Sequence, residues 1–112
     1  MQIYHNPRCS KSRQTLSLLE EKGIKPEIVL YLEQPPTKKE LQEIVKKLGI
    51  SAVELVRKTE AIYKESYKGK KLTENQWIAA MLKYPKLIER PIVINGKKAR
   101  IGRPPEKVLD II

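Results

Sequence analysis

The residue best equipped for chemistry is Cys9, the single cysteine of the chain. It lies where a short β-forming run, Gln2-Ile3-Tyr4-His5, gives way through Asn6-Pro7 to a helical pattern that begins at Ser10. At such a helix start the backbone N–H groups and the positive end of the dipole favour thiolate over thiol. Arg8, Lys11 and Arg13 are close in sequence and are expected to add positive charge. His5, four residues earlier, is placed to lower the thiol pKa further or to pass a proton. A free cysteine is more commonly a small buried hydrophobe. A position preceded by Asn-Pro and followed by polar residues argues instead for a reactive thiol. For His5 alone, a hydrogen-bonded structural role weighs as much as a catalytic one.

Counting constrains the chemistry further. In Cys9-Ser10-Lys11-Ser12 a serine stands where a CxxC motif has its second sulfur. The chain therefore cannot resolve its own mixed disulfide, and turnover through Cys9 must recruit an external thiol, glutathione or a partner's cysteine. A phosphatase-type loop is excluded, because position 15 is Thr15 where that loop needs arginine. One Cys and one His cannot supply a structural zinc site, so no metal is expected. No internal disulfide can form either, which fits a reducing, cytoplasmic compartment.

The net charge of +10 comes from 23 Lys plus Arg against 13 Asp plus Glu. The excess lies in two blocks, residues 37–71 and 86–112, and acids are interspersed in both. Such a pattern reads as a solvated lysine face with a contribution to anion steering. Aromatics are only 5% and no nucleic-acid-binding motif is present, so no nucleic-acid partner is expected. No signal peptide pattern is visible and no apolar stretch reaches the length of a membrane span, so no membrane association is expected. Only six of the basic residues are arginine. Three of them, Arg57, Arg90 and Arg103, fall at junctions between elements, where forked side chains can converge on an oxyanion. Spacing alone slightly favours three unrelated surface salt bridges. Arg90-Pro91, just before a strand, is also a place for a cis peptide bond.

The elements that must position these groups follow from pattern. Helical spacing over Ser10 to Lys22 sets Leu16 and Leu19 on one face, with Gly23 as terminator. Ile28-Val29-Leu30-Tyr31-Leu32 reads as a buried strand, which completes a βαβ unit. Capping boxes at Thr37/Glu40, Ser51/Glu54 and Thr73/Gln76 start helices carrying Leu41, Ile44, Val45 and Leu48, then Leu55 and Val56, then Trp77, Ile78, Met81 and Leu82. Tyr63 to Lys71 reads as a looser polar connection. Ile92-Val93-Ile94, a type I′ turn at Asn95-Gly96, and Lys97 to Ile101 form a hairpin. Pro104-Pro105 suits the start of a last helix with Val108, Leu109, Ile111 and Ile112 as its apolar side. The length of 112 residues gives one α/β domain with a central mixed sheet and a helical insertion at about 37–84.

Taken together, the segments His5-Asn6-Pro7-Arg8-Cys9-Ser10-Lys11-Ser12-Arg13, Tyr31-Leu32-Glu33, Leu55-Val56-Arg57-Lys58, Glu89-Arg90-Pro91-Ile92-Val93 and Arg103-Pro104 resemble the glutaredoxin-coupled arsenate reductases, the ArsC branch of the thioredoxin-like fold. The resemblance runs from Ile3 to Ile112. It implies a thioredoxin-like sheet with a helical insertion and Cys9 as the nucleophile. It also implies that Arg57, Arg90 and Arg103 cradle an arsenate-like oxyanion, that His5 tunes Cys9, and that Pro91 is the cis-proline of the fold. Asn6, Ser12 and Arg13 match the loop around the sulfur. The implied reaction reduces arsenate to arsenite with glutathione as co-substrate and glutaredoxin as partner, and without a bound cofactor. Arg8 departs from the pattern, since better-known members have a small residue there.

Two other readings fit parts of the chain. One is a thiol-sensing regulator of the Spx type, which shares the fold and binds RNA polymerase; it typically carries the CxxC that Ser12 interrupts here. The other is an ArsC-like thiol oxidoreductase acting on a different oxyanion.

Overall fold

A four-stranded mixed sheet in the order β2-β1-β3-β4 organises the residues around Cys9. A computed structural model describes residues 1–112 and divides into two compact units, Met1–Gln34 with Arg90–Ile112, and Pro35–Glu89.

In the first unit, β1 (Gln2–Tyr4) pairs in parallel with β2 (Glu27–Val29) and antiparallel with β3 (Ile92–Asn95), which pairs antiparallel with β4 (Lys98–Ile101). Helix α1 (Ser10–Glu21) connects β1 to β2, and a 3-10 helix, Pro105–Ile111, ends the chain. This βαβ and ββ-helix order is the thioredoxin-like arrangement. Ile3, Leu19, Val93, Val108 and Ile111 form the buried core, with Leu16, Leu18 and Ile24 packed against it. Fully burying each such aliphatic side chain stabilises the fold by about 1.5–3 kcal/mol. The core therefore ties α1, which carries the cysteine, to the sheet and the C-terminal helix.

Three features differ from the sequence expectation. The second strand is neither Ile28 to Leu32 nor buried. It spans Glu27–Val29 on the sheet edge, and Ile28 is 49% exposed. The chain leaves the sheet at Leu30, whose carbonyl accepts the N–H groups of Glu33 and Gln34 at 2.9 and 2.8 Å. The turn so formed buries Tyr31, which stacks on Tyr4 with ring centroids 6.5 Å apart. In the hairpin, Asn95 pairs with Lys98, so the turn residues are Gly96-Lys97 and not Asn95-Gly96. Gly96 has φ +62° and no non-glycine residue has positive φ, which fits type II′ and excludes type I′. The last helix is 3-10; it buries Val108 and Ile111 and leaves Leu109 and Ile112 outside.

The second unit is helical: α2 (Lys38–Leu48), α3 (Ala52–Leu55), α4 (Ala61–Ser66), α5 (Glu74–Lys83) and a 3-10 turn, Pro85–Leu87. Within it Val56 bridges Ile88 in antiparallel fashion. The Thr37/Glu40 and Thr73/Gln76 boxes close reciprocally. At Ser51 the backbone N–H and the hydroxyl both donate to Glu54 Oε2, at 2.7 and 3.1 Å. Glu74, the first residue of α5, also accepts the Ala52 N–H through both carboxylate oxygens, at 2.9 and 3.1 Å. The Tyr63 to Lys71 stretch is not a loose connection. Tyr63 to Ser66 are the end of α4, and Tyr63 and Tyr67 pack on Trp77 with centroids 6.4 and 6.0 Å apart. No helix in either unit is long and apolar enough to cross a membrane.

Candidate active site

Cys9 occupies the N-cap position of α1 with extended backbone angles, φ −93° and ψ 122°. Its N–H donates to the Asn6 carbonyl at 3.0 Å and its carbonyl accepts from the Arg13 N–H at 3.0 Å, so the sulfur is set at the turn between β1 and the helix. Arg103 Nη2 donates to Cys9 Sγ at 3.2 Å. The same guanidinium donates from Nε to the Arg90 carbonyl at 2.7 Å, which orients it toward the sulfur.

Partial burial opposes ionisation of the thiol, but nearby dipoles and charges outweigh it and hold the pKa below the ordinary cysteine range. In order of size they are the Ser12 backbone N–H, the Arg103 charge, the Lys11 backbone N–H and the Arg90 charge. The sulfur makes no capping hydrogen bond of ordinary geometry, so the helix acts through nearby N–H dipoles. Two of the charges that lower the pKa, those of Arg103 and Arg90, come from positions distant in sequence.

Near the cysteine His5, Asn6 and Ser12 are buried and joined by hydrogen bonds, and Thr15, one turn further along α1, is buried as well. Ser12 Oγ lies 2.6 Å from His5 Nδ1 and accepts the Asn6 N–H at 3.0 Å, while Asn6 Oδ1 accepts the Arg8 N–H at 3.0 Å. Ser12 and Arg13 fall in the first turn of α1 and not in the preceding loop. Burial, and then the Arg13 charge, lower the His5 pKa, so the imidazole is neutral near neutral pH. A neutral ring adds no positive charge at the sulfur, and its connection to Cys9 runs through Ser12. Arg13 Nη1 donates to the Pro7 carbonyl at 2.8 Å and clamps the loop between β1 and α1.

Arg90-Pro91 is a cis peptide, and so is Arg103-Pro104, which the sequence reading did not anticipate. Gly102 donates its N–H to the Pro91 carbonyl at 2.9 Å. A Cβ at Gly102 would stand 2.5 Å from Thr15 Oγ1 and 2.8 Å from Pro91 Cγ. Glycine at 102 thus lets β4's exit pass close against α1 and Pro91. Thr15 and Gly102 were absent from the candidate residues, because an exposed-looking polar helix residue and an unremarked glycine carry no sequence signal of their own.

Arg57 belongs to the helical unit. Its Nη1 meets Glu89 Oε1 at 3.2 Å and its Nε lies 3.6 Å from Glu60 Oε1, while its N–H donates to the Leu87 carbonyl at 2.6 Å. Neither acidic partner was foreseen.

The ArsC family model matches residues 4–111, nearly the full length of the chain. The chain belongs to the ArsC family. Among curated relatives, the ArsC-family chain is 53% identical to a Haemophilus influenzae protein named arsenate reductase, over 98% of this chain and 97% of the relative. It is 55% identical to the uncharacterized protein YfgD of Escherichia coli K12, over 100% and 96% of the two chains. Among solved structures, one described as arsenate reductase from Vibrio cholerae superposes with a TM-score of 0.94 at 50% identity, covering 99% of this chain and 96% of that one. The ArsC fold seen in such relatives is therefore also the fold of this protein.

Proposed function

We propose that this protein reduces arsenate to arsenite through the Cys9 thiolate, with glutathione and then glutaredoxin supplying the electrons in a reducing cytoplasm. The observation that carries the reading is the Arg103 Nη2 to Cys9 Sγ contact at 3.2 Å, beside a helix N-terminus. It joins a nucleophile with a lowered pKa to a fork-shaped cation suited to an oxyanion. The arsenate reductase names of relatives at 44–53% identity over 98% of this chain support the substrate.

In this reading Cys9 forms an S–As bond and one arsenate oxygen leaves as water. Glutathione replaces a second oxygen, again releasing water. The glutaredoxin thiolate then attacks the glutathione sulfur, forming the S–S bond and leaving the electron pair on arsenic, which becomes As(III). Hydrolysis of the remaining S–As bond consumes one water and returns arsenite and the Cys9 thiolate. One arsenate and two thiols thus yield one arsenite, one disulfide and one net water. The external thiols follow from the single cysteine of the chain. Arg103 and Arg90 bind the oxyanion, the family resemblance adds Arg57 as a third guanidinium, and His5, Asn6, Ser12 and Arg13 hold the thiolate loop.

The test is an assay of arsenite formation with both thiol donors, then with each omitted. Turnover requiring both, and impaired by Arg57→Ala, Arg90→Ala and Arg103→Ala more than the fold is, supports the reading. Unchanged kinetics in all three variants refutes the oxyanion cradle, and turnover without any added thiol refutes the electron source.

A further inference from the structure

The reaction as proposed needs a place for its first external thiol, and one cavity of the first unit has the chemistry for it. The cavity is about 300 Å³, at the small end of the range for small-molecule sites. Pro7 and Arg8 line it from the loop that leads to Cys9, Leu30, Leu32 and Glu33 from the turn after β2, and His5 from the end of β1. One charge of each sign therefore stands on an otherwise mainly apolar surface.

Neither charge is used by the protein itself. Arg13, Arg57, Arg100 and Arg103 all donate to protein acceptors, and Arg90 is engaged as well. Arg8 is the arginine whose guanidinium has no such partner, and the Glu33 carboxylate enters no ion pair. Arg8 is thus an exposed cation without a protein partner, available for a ligand.

We propose that this cavity is the subsite for the attacking thiol, and that Arg8 and Glu33 hold the zwitterionic α-amino-acid end of glutathione. The guanidinium fork takes the α-carboxylate, the Glu33 carboxylate takes the α-ammonium, and the leucines cover the γ-glutamyl methylenes. The inference rests on the reading that an external thiol completes turnover. It adds no chemical step. The subsite's arginine belongs to the loop that leads to Cys9.

The test uses the intact protein and S-methylglutathione, which binds without redox chemistry, followed by amide chemical shifts. Saturable shifts at Arg8, Leu32 and Glu33 are expected, with binding weakened about tenfold by Arg8→Ala and by Glu33→Gln, the usual consequence of losing one charge-assisted contact. N-acetylation of the ligand, which removes the ammonium, should abolish the Glu33→Gln effect and keep the Arg8→Ala effect. In turnover, Arg8→Ala should raise KM for glutathione about tenfold while KM for arsenate stays within about twofold. Both side chains are exposed, so the variants should keep the wild-type spectrum. Shifts confined to the outer face of α1 at Gln14 and Ser17, or binding indifferent to both substitutions, would overturn the subsite. Glutathione-dependent turnover with an unchanged KM in Arg8→Ala overturns it while leaving the arsenate reading intact. Charge-dependent binding without any arsenate turnover upholds the subsite and removes the arsenate reading.

Discussion

Arg103 reaches Cys9 Sγ at 3.2 Å from a position 94 residues away in the chain, and its Nε is fixed by the Arg90 carbonyl at 2.7 Å. Arg90 thus serves the sulfur twice, through its own charge and through the backbone oxygen that aims Arg103. The consequence is a thiolate prepared by the hairpin and its flanks as much as by the helix it caps.

Removing Arg103 should therefore raise the Cys9 pKa. The sign follows from attraction: a cation favours thiolate, so Arg103→Ala leaves less thiolate at any pH below the new pKa. Iodoacetamide alkylation rates against pH should show the wild-type midpoint below the ordinary value of about 8.5 and the variant displaced upward. The same depression stabilises the fold as pH rises from the folded midpoint to about 8.5, and this gain is lost as pH falls back through the folded value. Cys9→Ser should abolish that slope.

His5 gives a second titration, and it is the sole histidine. Burial and Arg13 lower its pKa, so its imidazole resonances should titrate below about 6.5. In that window the unfolded state binds more protons, so stability falls as pH drops from about 6.5 toward the folded value. Arg13→Ala should move the midpoint back up, and an NMR titration reads it directly.

Much of this was legible in the sequence, and the exceptions share a cause. The capping boxes, the Cys9 helix start and the hairpin are local patterns, written within a few residues. What escaped was tertiary. Ile28 to Leu32 looks like a buried strand by composition, yet Tyr31 earns its burial in a turn by stacking on Tyr4. The Tyr63 to Lys71 stretch looks polar, but Tyr63 in α4 and Tyr67 just after it are held by packing on Trp77. Asn95-Gly96 suggests a register that the pairing of Asn95 with Lys98 shifts by one residue. In the site, the family pattern named Arg90 and Arg103, whereas only the folded chain brings Thr15 and Pro91 against Gly102.

Gly102 yields a prediction of its own. With a Cβ 2.5 Å from Thr15 Oγ1 and 2.8 Å from Pro91 Cγ, Gly102→Ala should destabilise the protein by about 1–3 kcal/mol, as overpacking does. Adding Thr15→Ala should recover part of that loss, leaving the Pro91 clash. Urea unfolding of the two variants measures both effects, and an additive pair would show that the contact is not shared.

Glu74 joins two helices of the inserted unit by accepting the Ala52 N–H. Glu74→Ala should cost about 1 kcal/mol, the usual loss for an N-terminal cap, and Glu74→Gln less because one acceptor oxygen remains. Amide exchange at Ala52 should accelerate in Glu74→Ala before that of the α2 core does.

The central claim is that one thiolate, Cys9, carries arsenate reduction with borrowed electrons. The direct measurement is arsenite production by wild type and by Cys9→Ser, each with arsenate, glutathione and glutaredoxin. Wild type should form arsenite steadily and Cys9→Ser should stay at the protein-free background; arsenite formation by Cys9→Ser at the wild-type rate would contradict the account.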